Sequence, residues 1–96
     1  MIFLKSEKFI VMHSKDNCAT CLVALAENES VELLGREITI QQQIPTGHKF
    51  ALYEIKKGEN IIKYGEIIGI ATDDIHIGEW IHVHNIKSHY LEVSKQ

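Results

Sequence analysis

The chain is 96 residues long with a mass of 11.0 kDa, and 45% of it is hydrophobic and 24% charged, the proportions of a soluble globular protein. That length fits one domain with a modest core, and the composition excludes a collagen-like, a disordered or a disulfide-dense chain. Ten Lys+Arg against thirteen Asp+Glu leave a net charge of -3, which gives nucleic-acid binding no electrostatic support. Apolar runs are only a few residues long, so no transmembrane helix and no membrane partner is expected. Lys5, Glu7 and Lys8 interrupt the N-terminal apolar stretch, unlike a signal peptide. The chain is expected in the cytoplasm, with Cys18 and Cys21 reduced. One domain is expected over residues 1–91, with a polar tail at 92–96.

In chain order, Glu7-Lys8-Phe9-Ile10-Val11-Met12 reads as a first strand. His13 to Asn17 is a polar break, and Asp16 suits a helix N-cap. Cys18, Cys21, Leu22 and Leu25 follow at i, i+3, i+4 and i+7, the apolar face of one short α-helix over about 17–26. Val31 to Leu33 and Arg36 to Ile40 alternate apolar with polar and read as two strands joined at Gly35. Further strands are expected at 50–53, 60–64, 67–71 and 80–84. The sum is a mainly β barrel or roll with one short helix near the start.

A small repeat punctuates these strands. Ile44-Pro45-Thr46-Gly47-His48, Ile55-Lys56-Lys57-Gly58-Glu59 and Ile75-His76-Ile77-Gly78-Glu79 share Ile-x-x-Gly-polar. Each predicts a tight turn with Gly at positive φ and Ile tucked beneath it.

Six His are present, roughly two to three times an average share. His82 and His84 are at strand spacing, so both rings are expected on one face, able to bind a metal or move protons. Asn85 adds an amide that donates and accepts. Gly47-His48-Lys49 places a ring and a cation at a turn, a pairing suited to a carboxylate. Lys63-Tyr64-Gly65 repeats that pattern at a strand end, and His13 with Asp16 and Asn17 forms a polar knot. His76 and His89 read as surface residues. Cys18 and Cys21 form a CxxC, but both fall on the apolar stripe and read as buried packing residues. Basic groups dominate this inventory, which suits binding and protonating an acidic substrate and lacks carboxylate ligands for a hard metal.

Taken in order, His13-x-x-Asp16-Asn17, then Ile44-Pro45-x-Gly47-His48-Lys49-Phe50-Ala51-Leu52, then Ile62-Lys63-Tyr64-Gly65-x-x-Ile68-Gly69-x-Ala71, then Gly78-Glu79-Trp80-x-His82-x-His84-Asn85 resemble the SAF-type domain of the altronate dehydratase family. They also resemble the free-standing small subunit of sulfolactate sulfo-lyase. The resemblance runs from about residue 8 to residue 88, and the His-x-His-Asn segment favours the altronate-type branch. It implies a β-clip fold and an iron-dependent (Fe2+) dehydration of a sugar acid. The iron ligands are expected in a separate large subunit, leaving this chain with no metal ligand of its own. By motif position, His48, His82 and His84 are expected to be catalytic. His13, Asp16, Asn17, Lys49, Lys63, Tyr64 and Asn85 are expected to bind or orient the substrate. The alternatives are a sulfo-lyase small subunit and a non-catalytic carbohydrate-binding module.

Overall fold

Short runs of β-branched and aromatic residues, each ended by a Gly or a polar turn, build strands rather than helices. A computed structural model describes residues 2–88 and contains no helix among them. The expected tail at 92–96 and His89 lie outside the described residues. The strands are β1 (Leu4–Lys5), β2 (Phe9–Val11), β3 (Cys18–Cys21), β4 (Ser30–Leu33) and β5 (Arg36–Thr39). They continue with β6 (Lys49–Ala51), β7 (Asn60–Lys63), β8 (Glu66–Ala71), β9 (Trp80–Ile81) and β10 (Ile86–Ser88). One sheet runs β1-β2-β3-β6-β9, a second runs β10-β8-β7, and β4 pairs with β5 alone. All pairings are antiparallel.

The short helix expected over 17–26 is corrected to a strand and a turn. Residues 18–21 are β3, the middle strand of the five-stranded sheet, pairing Phe9 with Cys21 on one side and Cys18 with Ala51 on the other. A strand covered on both faces loses its two-residue alternation and reads as a continuous apolar run, which periodicity cannot tell from a helix. Cys18 joins one core with Ala51, Ile55, Ile61, Ile75 and Ile81. Cys21 joins the other with Phe9, Leu25, Ile38, Ile44 and Phe50. The CxxC residues thus point into different cores, not along one stripe. Leu22, on the expected apolar face, is exposed.

The Ile-x-x-Gly turns are the frame of the molecule. Ile44, Ile55 and Ile75 are fully buried, each worth about 1.5–3 kcal/mol of burial. Gly47, Gly58 and Gly78 take φ of 85, 90 and 83°. The fold also contains a further copy, Leu25-Ala26-Glu27-Asn28-Glu29, with Asn28 at φ 71° where the others have Gly. Leu25 bridges Ile44, and Ile55 bridges Ile75. The backbone closes each pair identically. Cys21 and Glu29 exchange hydrogen bonds with the segments at His48 and Ile40, as Ala51 and Glu59 do with those at Glu79 and Ala71. The hairpin β4–β5 turns at Leu34-Gly35 and the hairpin β7–β8 at Tyr64-Gly65, all four residues at positive φ, the geometry of a type I′ turn. The chain is therefore two similar halves facing each other across the β3–β6 ladder.

Candidate functional site

Three of the four hook turns end in Glu. The carboxylate of Glu29, Glu59 or Glu79 accepts the backbone N–H of Ala26, Lys56 or His76 at 2.7–2.9 Å, closing its own turn. The remaining turn has Pro45 at that position, which carries no N–H. Its last residue, His48, owes the turn no acceptor, and its ring faces β9 instead. Trp80 Nε1–H donates to His48 Nδ1 at 3.2 Å. The His48 ring centroid lies 4.9 Å from that of His82 and 5.6 Å from that of Trp80. The Trp80 and His82 rings stack 5.2 Å apart at 5°, and His84 sits 5.4 Å from Trp80. Pairing of Phe50 with Trp80 brings these rings together across β6 and β9.

The expected strand over 80–84 ends at Ile81, and the chain turns through 82–85. The cause is Asn85, buried and bonded at both ends of its amide: its Oδ1 accepts the His82 N–H at 3.0 Å and its Nδ2 donates to the Trp80 carbonyl at 2.8 Å. His82 and His84 meet through Trp80, not through the pleat of a strand. Trp80 was not among the expected site residues, although it stands in the same motif two residues before His82.

A second group sits at the tip of β7–β8. The Asp16 carboxylate, buried, accepts backbone N–H groups from His13, Tyr64 and Gly65 at 2.8–3.1 Å. It latches the 13–17 loop to the hairpin and is not the expected helix cap. Asn17 continues the latch, accepting from Ile62 N–H and donating to the Asn60 carbonyl, both at 2.8 Å. The His13 ring lies against Gly65, where an added Cβ would come within 3.0 Å of it. Tyr64 is exposed, with the Lys63 ammonium 5.2 Å from its ring centre. Lys49 lies on the face of the sheet that holds Cys18, paired with Thr20 and Ile81.

Burial pushes the Cys18 thiol up to about 12, and the nearby Lys49 and Lys63 charges pull against it without offsetting it. Burial, with the Glu29 charge adding, raises Cys21 to about 11. Both are free and buried in separate cores, which agrees with the packing reading, and the raised values disfavour the thiolate that redox chemistry needs. Among the described residues no three His, Cys, Asp or Glu side chains gather as a metal site. The donors of the described residues alone assemble no iron site. His76 is exposed and pairs with Glu54 at 3.1 Å.

The structure thus divides the expected residues. His48, His82 and His84 converge on Trp80, with Asn85 as their brace. His13, Lys63 and Tyr64 converge at the β7–β8 tip, with Asp16 and Asn17 as theirs, and Lys49 stands with Lys63 around Cys18.

A mainly β domain carrying an imidazole cluster is the class this architecture defines. The chain belongs to the altronate/galactarate dehydratase SAF-domain family, which matches residues 7–89. It is 40% identical over 88 residues to altronate dehydratase of Escherichia coli, covering 92% of this chain. The altronate dehydratase of Bacillus subtilis is 40% identical over 87 residues. The chain spans 18% of the length of each of these dehydratases. It is also 43% identical over 51 residues to (2R)-sulfolactate sulfo-lyase subunit alpha of Paracoccus pantotrophus, covering 53% of this chain and 76% of that subunit. No helix among the described residues is long and apolar enough to cross a membrane.

Proposed function

We propose that this chain is the small subunit of an altronate dehydratase-like hydro-lyase, completed by a separate large subunit. The complex removes water from an aldonate to give a 2-keto-3-deoxy acid. The observation that carries this reading is the convergence of His48, His82 and His84 on one indole, in a chain of this family. Loss of the proton α to a carboxylate leaves an enolate dianion that needs electrostatic stabilisation. The departing hydroxide needs a general acid. One of the three imidazoles serves as acid or base. Lys49, Lys63, His13 and Tyr64 contact carboxylate or hydroxyl oxygens, and Asp16, Asn17 and Asn85 hold the loops that carry these groups. The ferrous iron implied by the family belongs, in this reading, to the large subunit, as does most of the catalytic body. The complex works in the cytoplasm.

A second reading, the small subunit of a sulfolactate sulfo-lyase, is favoured by one observation. Over 51 residues, 53% of its length, this chain is 43% identical to (2R)-sulfolactate sulfo-lyase subunit alpha. A non-catalytic carbohydrate-binding module is a third reading, for which the exposed Tyr53 and Tyr64 rings offer stacking faces, whereas Trp80 is stacked on His82.

The test is co-purification from the native cell with an affinity tag on this chain. The eluate is assayed with ferrous iron and altronate, then with sulfolactate. A large partner with lyase activity on altronate is expected. Activity on sulfolactate alone would select the second reading, and a chain that elutes alone and inert would overturn both.

A further inference from the structure

We infer that Trp80 is a positioning residue that fixes the tautomer of His48, so that His48 offers an N–H, not a lone pair, to its ligand. The indole nitrogen donates and never accepts. Trp80 Nε1–H meets His48 Nδ1 at 3.2 Å. A neutral imidazole has one donor and one acceptor nitrogen, and the acceptor is set by its fixed partner. Nδ1 is therefore the lone pair and Nε2 carries the proton.

The indole is held so that it can act this way. Its backbone N–H donates to Gln42 Oε1 at 3.2 Å, its carbonyl accepts from Asn85 Nδ2, and its ring lies parallel to that of His82. His48 is available because Pro45 removes the N–H that the corresponding Glu closes in the other three turns. No other hydrogen bond to the His48 ring competes with the indole among the described residues.

An Nε2–H donor suits a carboxylate or a departing hydroxyl oxygen. His48 then stabilises charge on a substrate oxygen as a hydrogen-bond donor without giving up its proton, and the roles of acid and base fall to other groups. That assignment of role rests on the lyase reading above, whereas the tautomer does not.

The experiment is side-chain 15N NMR of the histidine-labelled full chain at about pH 8.5, where an ordinary imidazole is neutral. The wild type is compared with Trp80→Phe. The wild type is expected to show His48 as a single Nε2–H tautomer. Trp80→Phe is expected to lose that signature, with the Nδ1–H form appearing beside it. If Trp80→Phe does not fold, replacing Trp80 by benzothienylalanine gives the same readout, because that ring keeps the shape and lacks the N–H. An Nδ1–H tautomer in the wild type, or an unchanged Nε2–H signature in the folded substituted protein, would overturn the inference. Failure of the lyase reading would show differently, as an inert complex with the tautomer intact.

Discussion

The hook pair Leu25–Glu29 and Ile44–His48 and the hook pair Ile55–Glu59 and Ile75–Glu79 share one backbone plan. They differ in how the last residue of each turn is used. In the second pair both turns spend a Glu on their own closure. In the first pair one turn closes with Glu29, while the other substitutes Pro45 for the N–H and leaves His48 free to face Trp80. The two hairpins differ in the same way. The β7–β8 tip is latched by Asp16 and lies under His13, whereas the β4–β5 tip ends at an exposed Leu34. Candidate chemistry therefore sits where one half departs from the other, and the shared plan supplies the rigidity.

The comparison can be broken at its glycines. Gly78 and Gly47 hold equivalent places at φ 83° and 85°, but a Cβ on Gly78 would meet the Thr39 carbonyl oxygen at 2.0 Å, while one on Gly47 meets nothing within 4 Å. Gly78→Ala is expected to lose about 3–5 kcal/mol, from left-handed strain plus overpacking against backbone. Gly47→Ala is expected to lose only the strain, about 1–2 kcal/mol. Urea unfolding of the two variants measures both, and equal losses would mean that the halves do not differ in packing as described.

A smaller effect is expected at the latch. Asp16→Ala strands three backbone N–H groups and is expected to cost about 2–3 kcal/mol. Amide hydrogen exchange should rise first at Tyr64 and Gly65, with the β4–β5 hairpin unchanged. Uniform exchange across both hairpins would remove the latch from the account.

The smallest effect is in acid. The Glu29 carboxylate is held below its usual value near 4.5, first by the Ala26 N–H and then by Lys8. Its contribution is present above that value and is lost as pH falls through the lower folded one. Because the carboxylate is solvated, the loss is below about 1 kcal/mol. Glu29→Gln should flatten the acid limb of stability against pH, and an unchanged limb would show that the closure owes nothing to charge.

The strands of both halves were legible where apolar residues alternate beside a Gly, as at Val31–Thr39 with Gly35 and Asn60–Ala71 with Gly65. Three hooks were legible from Ile-x-x-Gly. The fourth was not, because Asn28 takes the left-handed turn that Gly takes elsewhere. The Cys18–Cys21 strand was misread because burial on both faces removes alternation. Of the candidate site, the residue types could be picked out, but not how they are held. Asn85 folds His82 back by a local hydrogen bond, whereas His48 reaches Trp80 through pairing of β6 with β9, a contact between segments distant in sequence.

The most direct test is the turnover of the complex reconstituted with the large subunit, carrying His48→Gln or, at the equivalent place, Glu79→Gln. If the His48 Nε2–H stabilises the reacting oxygen, His48→Gln should lower kcat by about 10²–10³. Glu79→Gln, which keeps an oxygen for the His76 N–H, should leave kcat within about twofold, as expected of a group outside the chemistry. Full activity with Gln at 48, or an equal loss at both places, would contradict the account.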